Sequence, residues 1–310
     1  MFTLCVLLLT LISWSCGAFP GPPKPQINDR PIIGILTQET EDDNLKPYGK
    51  TYIPSSYVKY LESAGCRVTP VKLNLTLPEY EKIFNSINGM MFIGGAVNLL
   101  TSDFAKAAAV FYKLALKAYV SGDYFPLWGT CLGFQLLTAL VAGDDLLTNA
   151  TVENKALPLK LTAGAESSRM FRNFPPELMK SLSQEPLTGN FHHYGIATQT
   201  FEGNERLESF FSILSTNKAK EGVEFVSTIE AQPDSESLEG KADGPTSSCR
   251  GDFSRCPWKK ISLLWSPVAP RARRSSHHFS SAKEEDAALI YNYSPLYVGN
   301  ISSYMQIYFF

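Results

Sequence analysis

The chain has 310 residues, of which 44% are hydrophobic, 12% aromatic and 19% charged. Those proportions belong to a folded globular protein and exclude disordered and collagen-like classes. Lysine and arginine number 28 against 30 acidic residues, a net charge of −2; without a basic excess to neutralise phosphates, the sequence argues against nucleic acid as a partner.

In chain order, residues 1–18 read as a signal peptide: an apolar run too short for a membrane span, then Ser15-Cys16-Gly17-Ala18 as a small-residue cleavage site. Proline-rich residues 19–30 read as a leader. No later uncharged apolar stretch is long enough for a transmembrane helix, so the expectation is a protein of the secretory route with no membrane span. Asn74, Asn149 and Asn300 head glycosylation triplets, and Asn292 heads a weaker one because Pro295 follows Ser294. After the signal, Cys66, Cys131, Cys249 and Cys256 remain. These are too few for a disulfide scaffold, so a core must hold the fold. Cys66 reads as buried and inert, and Cys249 with Cys256 as a chance pair.

Residues 31–37 are a continuous run rich in β-branched side chains, as in a strand buried on both faces of a parallel sheet. Helical spacing follows over 55–63, a strand over 67–71, a short helix over 80–86, and a strand over 89–93 that ends in Gly94-Gly95. A long amphipathic helix is predicted over 103–120, a strand over 125–129 and a helix over 134–141. Farther on, strand candidates lie at 157–161, 196–200 and 223–230. Residues 231–274 read as irregular, and strand-like text returns at 288–291 and 304–310. The alternation predicts an α/β fold, a parallel-rich central sheet flanked by helices, in one domain over 31–310 with a disrupted C-terminal segment.

One motif carries chemistry. Trp128-Gly129-Thr130-Cys131-Leu132-Gly133-Phe134 sits between a predicted strand and a predicted helix. A nucleophile on such a turn needs small neighbours because the backbone is strained and crowded. The turn also sets the sulfur at a helix N-terminus, whose partial positive charge favours thiolate. The Leu132 amide is placed to donate to an oxyanion, and Gly94-Gly95 is the natural source of a second donor. No metal cluster, phosphate loop or dinucleotide fingerprint is visible, so no cofactor is expected.

Cys131 in WGTCLGFQ, with Gly94-Gly95 in FIGG, resembles the class I glutamine amidotransferase-like superfamily. Within it, PIIGILTQE, SSYVKYLESAG, INGMMFIGGAVNL, SRMFRNFPPEL and NFHHYG resemble the γ-glutamyl hydrolase family over roughly residues 31–230 and 275–303. The resemblance implies a secreted or lysosomal cysteine peptidase that acts on folylpoly-γ-glutamates through a thioester, and a homodimer. It makes Cys131 the nucleophile and places His192 on the substrate side.

The sequence departs from that family in one place. The Gln-Trp-His-Pro-Glu motif that carries the family's catalytic histidine is missing, and residues 231–274 replace it. The histidines of the chain are His192, His193, His277 and His278. A thiol of pKa about 8.5 is roughly 0.03% thiolate at pH 5. The alternative expectation is therefore a weakly active or inactive member that at most binds γ-glutamyl ligands.

Overall fold

A computed structural model describes residues 27–232, 244–245 and 268–310. The signal peptide, most of the leader, and Cys249 and Cys256 lie outside the described residues.

The first half alternates as β1 (Ile32–Leu36), β2 (Gln38–Glu39), β3 (Thr51–Pro54), α1 (Ser55–Ser63), β4 (Arg67–Val71), α2 (Leu77–Phe84), β5 (Met90–Phe92), α3 (Asp103–Val120), β6 (Leu127–Gly129) and α4 (Leu132–Ala142). Strands β4, β1, β5 and β6 form a parallel sheet in that order. Every residue of β1 is buried, as a sheet covered on both faces requires. Side chains alternate across it. Ile32, Leu36, Met90 and Phe92 enter one apolar cluster with Phe104, Phe111 and Phe134. Ile33, Ile35, Met91 and Ile93 enter the other with Val58, Leu61 and Trp128. Helix α3 covers the first face with Phe104, Ala108, Phe111 and Ala115, a stripe at helical spacing. Its start is fixed by the Ser102 side chain, which accepts from the Ala105 amide at 3.1 Å.

The second half is built mostly from antiparallel pairs. It runs β7 (Thr148–Leu157), β8 (Lys160–Leu161), α5 (Pro176–Gln184), β9 (Thr188–Gly195), α6 (Thr198–Glu202), α7 (Glu205–Phe210), β10 (Phe211–Lys218), β11 (Glu224–Ala231), β12 (Gly244–Pro245), α8 (Val268–Ala272), α9 (Ala282–Ala288), β13 (Leu296–Tyr297) and β14 (Gln306–Phe309). Strands β7 and β9 pair antiparallel. A second sheet runs β12-β11-β10-β8, and a third runs β13-β14-β3-β2.

Four sequence expectations are corrected. The strand expected at 157–161 is interrupted after Leu157, where Pro158 lacks an amide for the ladder, and resumes only at Lys160. Residues 196–200 alternate like a strand, yet Ala197 makes a single bridge to Phe225 and α6 begins at Thr198. The strand-like text at 288–291 lies at the end of α9. That helix is capped by the Ser281 side chain, which accepts from the Glu284 amide, and closed by Asn292 Nδ2, which donates to the carbonyls of Asp286, Ala287 and Leu289. Part of the stretch expected to be irregular, 231–274, is also core: α8 buries Ala269 and Ala272.

Candidate active site

Cys131 is the turn between β6 and α4. Its backbone stands at φ 56, ψ −116, a left-handed conformation that costs a non-glycine residue about 1–3 kcal/mol. The surrounding bonds hold it there. The Thr130 amide donates to Phe92 O at 3.0 Å, the Gly133 amide to Thr130 O at 3.0 Å, and the Gln135 amide to Cys131 O at 3.1 Å. The small neighbours noted in the sequence are required by close backbone approach. A methyl group on Gly133 would lie 2.1 Å from Phe92 O, and one on Gly129 2.4 Å from Gly133 O. Cys131 is half-buried and in no disulfide, whereas Cys66 is fully buried. The elbow thus turns a sulfur outward at the C-terminal ends of the parallel strands, against the N-terminus of α4.

The Gly94-Gly95 loop at the end of β5 faces that sulfur. A methyl group on Gly94 would lie 3.0 Å from Tyr57 Oη, 3.2 Å from Cys131 Cβ and 3.5 Å from its Sγ. The loop is pinned from both sides. The Gly94 amide donates to Tyr57 Oη at 3.1 Å, and Gln38 Nε2 donates to Gly94 O at 3.4 Å. The two glycines therefore differ: the Gly94 amide is engaged by the tyrosine, while Gly95 lines the cavity. Leu132 supplies the first amide of α4, which has no acceptor within the helix.

Cys131 opens on a cavity of about 890 Å³ that is also lined by Gly95, Leu132, Asn98, His192 and His193. Strand β9 forms one wall. Gln135 Nε2 on α4 donates to Tyr194 O at 2.8 Å, tying that strand to the elbow. His192 points inward, buried against the edge of Phe225 at 4.9 Å between ring centroids. Its burial holds the imidazole below the ordinary histidine range. His193, its neighbour, points outward and meets Glu153 at 3.0 Å. Asn190, buried two residues before His192 and on the same strand face, was not singled out from sequence; the period-two spacing was the available signal. Tyr57 was likewise missed, since a tyrosine on an amphipathic helix reads as ordinary core.

The remaining site expectations lie elsewhere. Asn74, Asn149 and Asn300 are exposed. Asn292 is exposed as a residue, but its amide nitrogen is held by the three carbonyls that end α9. His277 Nδ1 lies 2.7 Å from Phe84 O and its Nε2 2.7 Å from Asp123 Oδ2, at the N-terminal ends of β5 and β6, opposite Cys131. Among the described residues no group of histidine, cysteine and carboxylate side chains could hold a metal ion, and no helix is long and apolar enough to cross a membrane.

Comparison with known proteins is consistent along the chain. The family model described as Peptidase C26 matches residues 31–233. The gamma-glutamyl hydrolase of Homo sapiens is 45% identical over 323 aligned positions, covering 99% of this chain and 98% of its own. That of Bos taurus is 45% identical, covering 95% of each. Gamma-glutamyl hydrolase B of Dictyostelium discoideum is 35% identical over 92% of this chain and 84% of its own.

Proposed function

This chain belongs to the Peptidase C26 family, and on that premise we propose that it hydrolyses γ-glutamyl bonds, with folylpoly-γ-glutamates as the substrate class. The observation that carries the reading is the left-handed Cys131 elbow opening, with Gly95 and Leu132, on one cavity. The thiolate attacks the γ-amide carbonyl. The oxygen gains negative charge and is received by the amides of Leu132 and Gly95, with Gly94 held in place by Tyr57. The C–N bond breaks, the leaving amine takes a proton, and water then hydrolyses the thioester. No step requires a cofactor. His192, inside the same cavity, is placed to meet substrate. The secretory route ending outside the cell or in the lysosome, and glycans at Asn74, Asn149 and Asn300, belong to the same proposal.

One observation favours slower turnover than in the relatives. No residue between 194 and 276 is a histidine, so no fold of that segment can supply an imidazole to the sulfur. The second reading is a member that binds γ-glutamyl ligands and turns them over slowly or not at all.

Incubation of the purified protein with a pteroyl poly-γ-glutamate, with release of glutamate followed, separates the two. Release that Cys131→Ala abolishes while ligand binding persists is expected from the hydrolase. Binding without release in the unaltered chain supports the second reading. Neither binding nor release would overturn both.

A further inference from the structure

Each histidine of the chain lies among the described residues, and three have polar partners of their own. His277 is locked between Phe84 and Asp123 at the far end of the sheet. His278 Nδ1 lies 3.0 Å from Ser276 O on the surface. His193 points outward to Glu153.

His192 differs in its polar contacts. The residue is 8% exposed, and its buried Nδ1 has no hydrogen-bond partner. Its Nε2 lies 3.3 Å from Asn190 Oδ1. The orientation of that amide is itself fixed, because Asn190 Nδ2 donates to Thr188 O at 2.9 Å and to Lys155 O at 3.4 Å. An acceptor facing Nε2 assigns the hydrogen to Nε2 and leaves a lone pair on Nδ1. The ring is therefore held in the tautomer that a base at Nδ1 requires.

A second, small cavity of about 10 Å³ is lined by Cys131, Gln135, His192 and Phe225. That is room for about one water. The bond from Gln135 to Tyr194 O sets the separation of α4 and β9 across it.

We propose that His192 is the proton acceptor for Cys131, working through one water in this small cavity, with Asn190 as its positioning residue. The proposal rests on the hydrolase reading and deepens it. The thiol gives its proton to the water, and the water gives one to Nδ1, leaving thiolate and imidazolium. After attack on the γ-amide the same proton returns through the cavity to the leaving nitrogen. In the second half, the attacking water loses a proton to Nδ1, and that proton passes to the departing sulfur as the thioester C–S bond breaks. Cysteine, histidine and asparagine form a known set for this chemistry on other folds. Here the set comes from one elbow and one strand.

The groups around the ring are few. Cys131, at the N-cap of α4, lines the same small cavity as the ring. Against the ring's burial, the backbone of Ala150 on β7 and of Tyr194 on β9 favours its protonated form. On β7, Glu153 and Lys155 are exposed to solvent. On β11, Glu224 is tied to Lys160 at 2.6 Å. His193 is its neighbour on the opposite strand face.

The test is the pH profile of Cys131 alkylation by iodoacetamide, resolved by peptide mapping, on the full chain. The unaltered protein should show an inflection below the ordinary histidine range, set by the ring. In His192→Gln that inflection should vanish, leaving one near the ordinary thiol value of about 8.5, with alkylation in mildly acidic buffer slowed about tenfold or more. Asn190→Ala should weaken the inflection, and Asn190→Asp, which keeps an acceptor and adds a negative charge beside the ring, should retain it and move it to higher pH. His278→Gln should leave it unchanged. An unchanged profile in His192→Gln, or an inflection that disappears with His193→Gln instead, would overturn the proposal. Should His192→Gln fail to fold, the Asn190 pair decides it: equal profiles in Ala and Asp variants would overturn it. Because the readout is thiol reactivity, an intact inflection without γ-glutamyl turnover would overturn the hydrolase reading and leave the relay standing.

Discussion

The Gly94 amide donates to the Tyr57 hydroxyl at 3.1 Å, immediately beside Cys131. Tyr57 is buried, and burial, with Tyr304 and Cys131 nearby, pushes its hydroxyl well above the ordinary phenol range. It therefore stays a neutral dipole whose oxygen satisfies an amide that would otherwise be buried and unpaired. Tyr57→Phe keeps the ring and removes only that oxygen. The expected cost is about 1–3 kcal/mol of stability, read from the midpoint of a urea transition. A midpoint equal to that of the unaltered chain would show that the Gly94 amide finds another acceptor.

The two cysteines of the described region should separate in labelling. Burial pushes the Cys66 thiol up to about 11, with Arg273 pulling weakly the other way. Cys131 stands half-exposed at the cavity. Near neutral pH, peptide mapping should find Cys131 alkylated and Cys66 protected until denaturant is added. The same shift has a consequence for stability. The unfolded thiol titrates near about 8.5, so between that value and about 11 the unfolded chain holds fewer protons than the native one. Stability from this group is full below the unfolded value and falls as pH rises toward the native one. Cys66→Ala should flatten that alkaline loss in a series of denaturation curves.

His277 tests the division of labour among the histidines. It joins Phe84 O at the end of α2 to Asp123 before β6, with its ring tilted against Phe125 at 5.6 Å between centroids. His277→Ala leaves a buried carbonyl and a carboxylate without this partner, at a cost of about 2–4 kcal/mol. Cys131 alkylation should keep its pH profile, since the two residues lie at opposite ends of the parallel strands. A profile that changed would mean that the two ends are coupled.

The first half of the fold was legible because its elements are repetitive. The buried run at Ile32–Leu36 and the long stripe of α3 carry their periods over enough residues to be read. The second half was not, because tertiary contacts override local preference. Ile196 and its neighbours alternate like a strand but turn into α6. Arg271 and Ala272 belong to a segment that looks irregular in sequence, yet α8 buries Ala272 and brings Arg271 Nη2 to 3.9 Å from the buried Glu230 carboxylate.

The linear sequence alone decided three things: the elbow at Cys131, the glycines that let the chain pass close by it, and the lack of any histidine between residues 194 and 276. Local spacing suffices there, because a strand-turn-helix with Gly-x-Cys-x-Gly is built from neighbours in the chain. Only the tertiary structure decided which glycine amide is engaged, by Tyr57 from α1, and which imidazole is buried in the wall of the cavity that Cys131 lines, next to the Asn190 side chain. Those facts depend on side chains from separate elements sharing one cavity, whose two walls are joined where β9 is tied to α4, a long-range bond that no local pattern records.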